Sequence, residues 1–203
     1  MSIAQRLRNP GTGGGPAPRF KCIDLPSRQE RKKRVRYWRG QPDGKNVLPW
    51  ISLNPSGKND DGRGQTGLAV AGFAWRWGFD GVAVYNVYPF PSPYPEDIEK
   101  LLAQADARDD REPRNAIEAN HDYVAADLRG ADAVVVAWGA SGSRAFRADT
   151  RRLASQLLRK IRKINSSGIS NLGAWCLGTT KRDGSPIHPL CKPSGLRPVP
   201  FSL

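Results

Sequence analysis

Four short runs of almost wholly apolar, β-prone residues punctuate the chain: Val47–Leu53 (VLPWISL), Val82–Val87 (VAVYNV), Ala133–Trp138 (AVVVAW) and Leu172–Leu177 (LGAWCL). Runs of this length with little polar alternation predict strands covered on both faces. Between them the apolar period changes to that of a helix. Thr66 can cap a helix over about 67–78 (GLAVAGFAWRWG), and Pro95 suits the start of one over Glu96–Gln104. Asn115–Leu128 sets Ile117, His121, Val124 and Leu128 near helical spacing. Ser141-Gly142-Ser143 opens a long helix to about Asn165, with Leu153, Leu157, Leu158 and Ile161 as its buried stripe. Strands alternating with helices predict an α/β fold: a three-layer α/β/α sandwich around a mainly parallel sheet of about four strands.

Glycine and proline set the limits of these elements. Asn54-Pro55-Ser56-Gly57 ends the first strand, and YPFPSPYPED after the second holds four prolines, which predicts an extended loop. Residues 1–19 are Gly/Pro-rich and aperiodic, and a basic run follows to the aromatic pair Tyr37-Trp38. The division expected is a disordered basic tail over 1–35 and a single α/β domain over 36–203. Of the 203 residues only 38% are hydrophobic, which agrees with an unstructured part. No stretch approaches the roughly 20 apolar residues of a membrane span, and the first residues lack the apolar centre of a secretion signal. The three cysteines form no CxxC, which excludes a disulfide scaffold, an all-cysteine zinc site and a four-cysteine iron–sulfur cluster. A cytoplasmic monomer without cofactor or metal is the expectation.

Charge adds a partner. The formal net charge is +13, and residues 1–39 hold 11 Lys/Arg against 2 acids. Residues 96–132 reverse the sign, with 11 acids and 5 bases. Residues 143–164 then carry eight Lys/Arg and the single acid Asp149. Two basic segments beside an acidic flank point to a polyanion, DNA or another nucleic acid, because Lys and Arg neutralise phosphates and release counterions. A solvated helix face with a basic tail is the alternative.

In a parallel sheet, ligands bind at the C-terminal strand edge, and here those edges deliver LNPSG, NVYPFP, WGASG and TTKRDGSPIHPL. The Asn54 amide can hold water or ligand, with Pro55 and Ser56 shaping the turn, or it can simply close an Asx-turn. Asn86 can pair with a base edge while Tyr88 or Phe90 stacks on it, or those rings can pack the loop. Gly139 and Ser141 precede a helix N-terminus that can take phosphate, with Arg144, Arg147 and Arg151 behind it and Lys181 and Arg182 in the last loop. No Gly-Lys-Ser/Thr follows, so an ATPase is unsupported. His188, fixed between Pro186-Ile187 and Pro189, can donate to a developing anion or bond a carbonyl; His121 on a helix face reads as structural. Asp60, Asp61 and Asp183 have no metal-ligand spacing.

Arg36-Tyr37-Trp38, Leu53-Asn54-Pro55-Ser56, Phe73-Ala74 with Trp77-Gly78, Val84–Val87, Ala137-Trp138-Gly139 and Gly184–Leu190 together resemble an uncharacterised bacterial and phage family, domain of unknown function 1643. The resemblance runs from about Arg36 to the C-terminus. It departs after Ser56, where the family shows Asp-Pro-Thr with paired arginines and this chain reads Asp60-Asp61-Gly62-Arg63-Gly64-Gln65-Thr66. At motif level the chain is also similar to the uracil-DNA glycosylase superfamily. That likeness implies that Asn54 positions the attacking water, Asn86 reads the base and His188 faces the departing base oxygen. The superfamily's Asn-Pro-Gly is Asn54-Pro55-Ser56 here, and its His-Pro-Ser is His188-Pro189-Leu190. The function implied is a DNA-binding, base-recognising protein that hydrolyses the N-glycosidic bond of a damaged or modified base. A non-catalytic nucleic-acid-binding module and a hydrolase of free nucleosides or nucleotides are the alternatives.

Overall fold

The computed structural model describes residues 1–10, 36–39, 46–56, 65–165 and 172–202. In chain order the elements are α1 (Ile3–Arg8), β1 (Arg36–Arg39), β2 (Val47–Ser52), α2 (Gln65–Arg76), β3 (Gly81–Asn86), α3 (Pro95–Ala107), α4 (Glu112–Asp127), β4 (Ala133–Val136), α5 (Arg144–Asn165), β5 (Gly173–Cys176) and β6 (Val199–Pro200). The sheet order is β1-β3-β2-β4-β5-β6. The four expected strands form its parallel centre, with β2 between β3 and β4 and β5 beside β4. Two short antiparallel strands, β1 on β3 and β6 on β5, extend it to six. The sequence shows these edges poorly, because neither carries an apolar run: β1 is an aromatic pair between two arginines and β6 is two residues long.

Alternation along the central strands divides the core in two. Leu48, Trp50, Val82, Ala133, Val135 and Trp175 face one side and pack with Val70, Phe73 and Ala74 of α2 and Leu7 of α1. Ile51, Ala83, Tyr85, Val134, Val136 and Cys176 face the other side, under α3, α4 and α5. Both faces of the sheet are thus covered, which is the reason its strands read as continuous apolar runs. The long basic helix buries Leu153, Leu157, Leu158 and Ile161, the stripe read from the sequence.

The first ten residues depart from the expected disordered tail. Ser2 and Gln5 form a reciprocal capping box at the start of α1, and the Asp132 carboxylate accepts from the backbone N–H groups of Ile3 (3.0 Å) and Ala4 (3.2 Å). An anionic acceptor at a helix N-terminus satisfies orphan donors and complements the helix dipole. Leu7 is then buried in the α2-side core. The remainder of the tail, residues 11–35, and the loop holding Asp60 and Asp61 lie outside the described residues.

Candidate functional site

β2 and β3 end side by side, with Ser52 opposite Asn86 in register. Their chains continue as a pair beyond the strands: Val87 donates to the Ser52 carbonyl, Tyr88 to Leu53 and Ser92 to Pro55. The Asn54 side chain closes this double loop. Its Nδ2 group lies 2.9 Å from the Pro55 carbonyl, 2.8 Å from Ser92 and 3.3 Å from Phe90. Only the NH2 end can donate to carbonyls, so this environment fixes the amide orientation and leaves Oδ1 as the acceptor for other uses.

A cavity of about 260 Å³ opens at this sheet edge. Asn54, Asn86 and His188, the last more than a hundred residues from the other two along the chain, all line it. Pro55, Ser56, Ser52, Trp138, Ser141 and prolines of the 93–95 segment complete much of its wall. The strand order accounts for the placement: the chain leaves β2 for β3 on one side and later returns to β4 on the other, and a crevice forms where the order reverses.

His188 is held in a defined tautomer. The Leu190 backbone N–H donates to its Nδ1 at 3.3 Å, so a neutral ring carries its proton on Nε2. Burial, assisted by the nearby Lys192 charge, lowers its pKa below the usual histidine value and favours that neutral form. The His188 loop is anchored at several points. Pro186 accepts from the Gly139 N–H, and Ile187 donates to Gly178. Asp183 Oδ1 takes hydrogen bonds from the Thr180 hydroxyl (2.7 Å) and the Ser185 N–H (3.0 Å), while Oδ2 pairs with Arg147 Nε at 3.0 Å. Burial opposes ionisation of Asp183, but these bonds and the Arg151 charge outweigh it and hold its pKa below the carboxylate range.

Residues 34–190 match the family model whose description is "Protein of unknown function (DUF1643)". The chain belongs to this family. No curated protein and no solved structure matches it. The DUF1643 region spans the four central strands and every residue named above as lining the cavity.

Several sequence expectations are corrected by the DUF1643 site. Tyr88 does not reach the cavity as a stacking ring; it is fully buried, stacked on Phe146 at 5.3 Å between centroids and hydrogen-bonded to Thr150 at 2.9 Å. Burial raises its pKa, which keeps the phenol neutral. Phe90 packs partly buried against the same core cluster. The aromatic wall is instead Trp138, braced edge-on by Phe201. The start of α5 is not an open phosphate cradle either. The Glu99 carboxylate accepts from the Ser143 N–H at 3.1 Å, and the Gly139 N–H is used by Pro186. Gly139 has φ +74°, and a Cβ there would lie 3.4 Å from the His188 Cβ, so glycine allows the close approach of the His188 loop.

Arg147 is engaged by Asp183 and the Gly142 carbonyl, and the Arg151 guanidinium donates to the Asp183 carbonyl. Arg144, Lys181 and Arg182 are exposed and make no ion pair among the described residues. His121 is structural as expected: its Nε2 lies 2.9 Å from the Val87 carbonyl and burial lowers its pKa. Neighbouring Asn120 donates to the Asn86 carbonyl at 2.9 Å, so α4 fixes the end of β3 from behind. Among the described residues no group of three or more His, Cys, Asp or Glu side chains is arranged to hold a metal ion. Among them, too, no helix is long and apolar enough to cross a membrane.

Proposed function

We propose that this protein binds nucleic acid, takes a single base into the cavity at the sheet edge and hydrolyses its N-glycosidic bond. The observation that carries the reading is the convergence of Asn54, Asn86 and His188 on one cavity, each with a hydrogen-bonding function left over. The cavity lies near the lower size limit of small-molecule sites, which suits one ring system better than a larger ligand. An extruded base between Trp138 and the loop prolines would present its polar edge to Asn86.

The chemistry needs a placed water, a stabilised leaving group and no cofactor. The C1′–N bond breaks with its electron pair going to the base, the water oxygen bonds to C1′, and the proton it loses passes to bulk water while the departed base takes one up. Neutral His188 would donate through Nε2–H to the base oxygen as negative charge develops there. Asn54, with its NH2 group engaged by the loop, would offer Oδ1 to a hydrogen of the attacking water. The exposed cations Arg144, Lys181 and Arg182 would contact phosphates.

The test is incubation of the protein with oligonucleotides carrying varied damaged and modified bases, followed by detection of abasic sites. Base release from one such strand, abolished by an active-site substitution, is the expected result. Tight, base-dependent binding with no abasic site after prolonged incubation would instead decide for a non-catalytic reader.

A further inference from the structure

Ser52 occupies the last position of β2, beside Asn86, on the sheet face that is otherwise apolar at Leu48, Trp50 and Val82. It is 4% exposed, and its Oγ has no hydrogen-bond partner although it belongs to the cavity lining. Asn86 is equally buried, and its side-chain amide makes no hydrogen bond among the described residues. The Ser52 hydroxyl is costly in the empty protein, because a desolvated donor or acceptor without a partner destabilises the fold. A valine or leucine at position 52 would fit the strand pattern without that cost. The pair makes sense as a floor completed by a ligand.

Resting on the base-binding reading above, we propose that Ser52 is a specificity-determining residue which takes the second hydrogen-bonding valence of the base's exocyclic group. A ring carbonyl has two lone pairs and a ring amino group two hydrogens. Asn86 offers one donor and one acceptor, enough for a ring nitrogen and one valence of its exocyclic neighbour. The Ser52 hydroxyl serves as donor or acceptor, so it satisfies the other valence of either group. The ligand class assigned is a heterocycle with an unsubstituted carbonyl or amino group beside a ring nitrogen. A base alkylated at that group is disfavoured, because it leaves Ser52 unpaired and crowds it.

The experiment compares full-length wild type with Ser52→Ala in binding fluorescein-labelled single strands that hold one cytosine, N4,N4-dimethylcytosine or an abasic analogue at a central position in a fixed surrounding sequence. Wild type should bind the cytosine strand about tenfold or more tighter than the dimethyl strand, the size expected for leaving a buried group unpaired. In Ser52→Ala that gap should narrow at least about threefold, with the Asn86 share of it remaining, and its Tm should equal or exceed the wild-type value, because the lost hydroxyl has no partner inside the protein. An unchanged gap in Ser52→Ala would overturn the role of Ser52 and leave base reading by Asn86 standing. A clearly lowered Tm would overturn it by showing a structural role. Equal wild-type affinity for the cytosine and abasic strands would overturn the base-binding reading itself, and Ser52's role with it.

Discussion

At the residue scale, the cavity residues differ in when their hydrogen bonds count. His188 would bond most strongly to a base that carries negative charge, which occurs in the transition state and not in the bound ground state. His188→Ala is therefore expected to lower base release about a hundred- to thousand-fold, with little change in strand affinity, as removal of one such donor does elsewhere. Single-turnover rates and binding curves on the same oligonucleotide check this. The pH profile follows from the same ring. Burial lowers the pKa of His188, so the neutral donor persists through neutral pH and the rate should be flat above about pH 6.5. It should fall only in acid, once the ring protonates; a rate that rises on acidification would show a cationic donor instead. Stability has the same sign. With both histidines below their unfolded pKa, the unfolded chain binds more protons as pH drops under about 6.5. Chemical denaturation should therefore show full stability above that pH, with loss as pH falls toward the lowered values.

At the element scale, the four parallel strands were legible as unbroken apolar runs and four of the helices by their apolar period, with ends marked by Asn-Pro, Pro-rich or Gly segments. Asn54, Asn86 and His188 were legible for the related reason that strand C-termini share one edge. What the chain pattern hid was set by distant contacts. Helix α1 depends on Asp132, although the Ser2–Gln5 capping box was a readable local signal. Glu99 filling the start of α5, and Tyr88 turning toward Thr150, both join residues more than forty positions apart. Asp183 is the clearest case, since it ties the His188 loop to α5 through Arg147. Asp183→Ala should destabilise the protein by about 1.5–3 kcal/mol, the range for hydrogen bonds to a charged group. Hydrogen exchange should quicken at Gly184, Ser185 and Ile187, with the opposite face of the sheet unchanged. Gly139→Ala tests the same loop from the segment after β4: a left-handed alanine costs about 1–2 kcal/mol, and its Cβ would stand in contact with the His188 Cβ. Base release should then fall by more than the loss of stability explains.

At the scale of the whole molecule, the large positive charge is divided between internal and external use. Lys160 of α5 pairs with Asp122 and Glu118, so part of the basic helix is neutralised by the acidic flank it packs against, while Arg114 of that flank is spent on Asp106 and on the helix's own Asp149. Besides Lys192, whose charge acts on His188, the cations left over near the site among the described residues include Arg144 on the first turn of α5 and Lys181 and Arg182 on the loop that Asp183 docks against that helix. Arg144 follows the cavity's Ser141 by three residues, and Lys181 and Arg182 precede His188 in its loop, so phosphates flanking an extruded base would meet them there. Replacing all three by glutamine should reduce the slope of log affinity against log salt by roughly 2 units on a single strand, at about 0.7 for each phosphate no longer neutralised. Glutamine at Arg28, Arg31, Lys32, Lys33 and Arg34 should flatten it further if that basic segment also meets phosphate. Neutralisation is the proper test there, because deleting residues 1–35 would also remove α1 and its buried Leu7. Arg114→Gln is the control, expected to lower stability and leave the slope unchanged, since its charge is already spent on Asp106 and Asp149. A triple variant with the wild-type slope would show that the nucleic acid does not cross this edge of the sheet, and would separate the cavity from any basic surface used for binding.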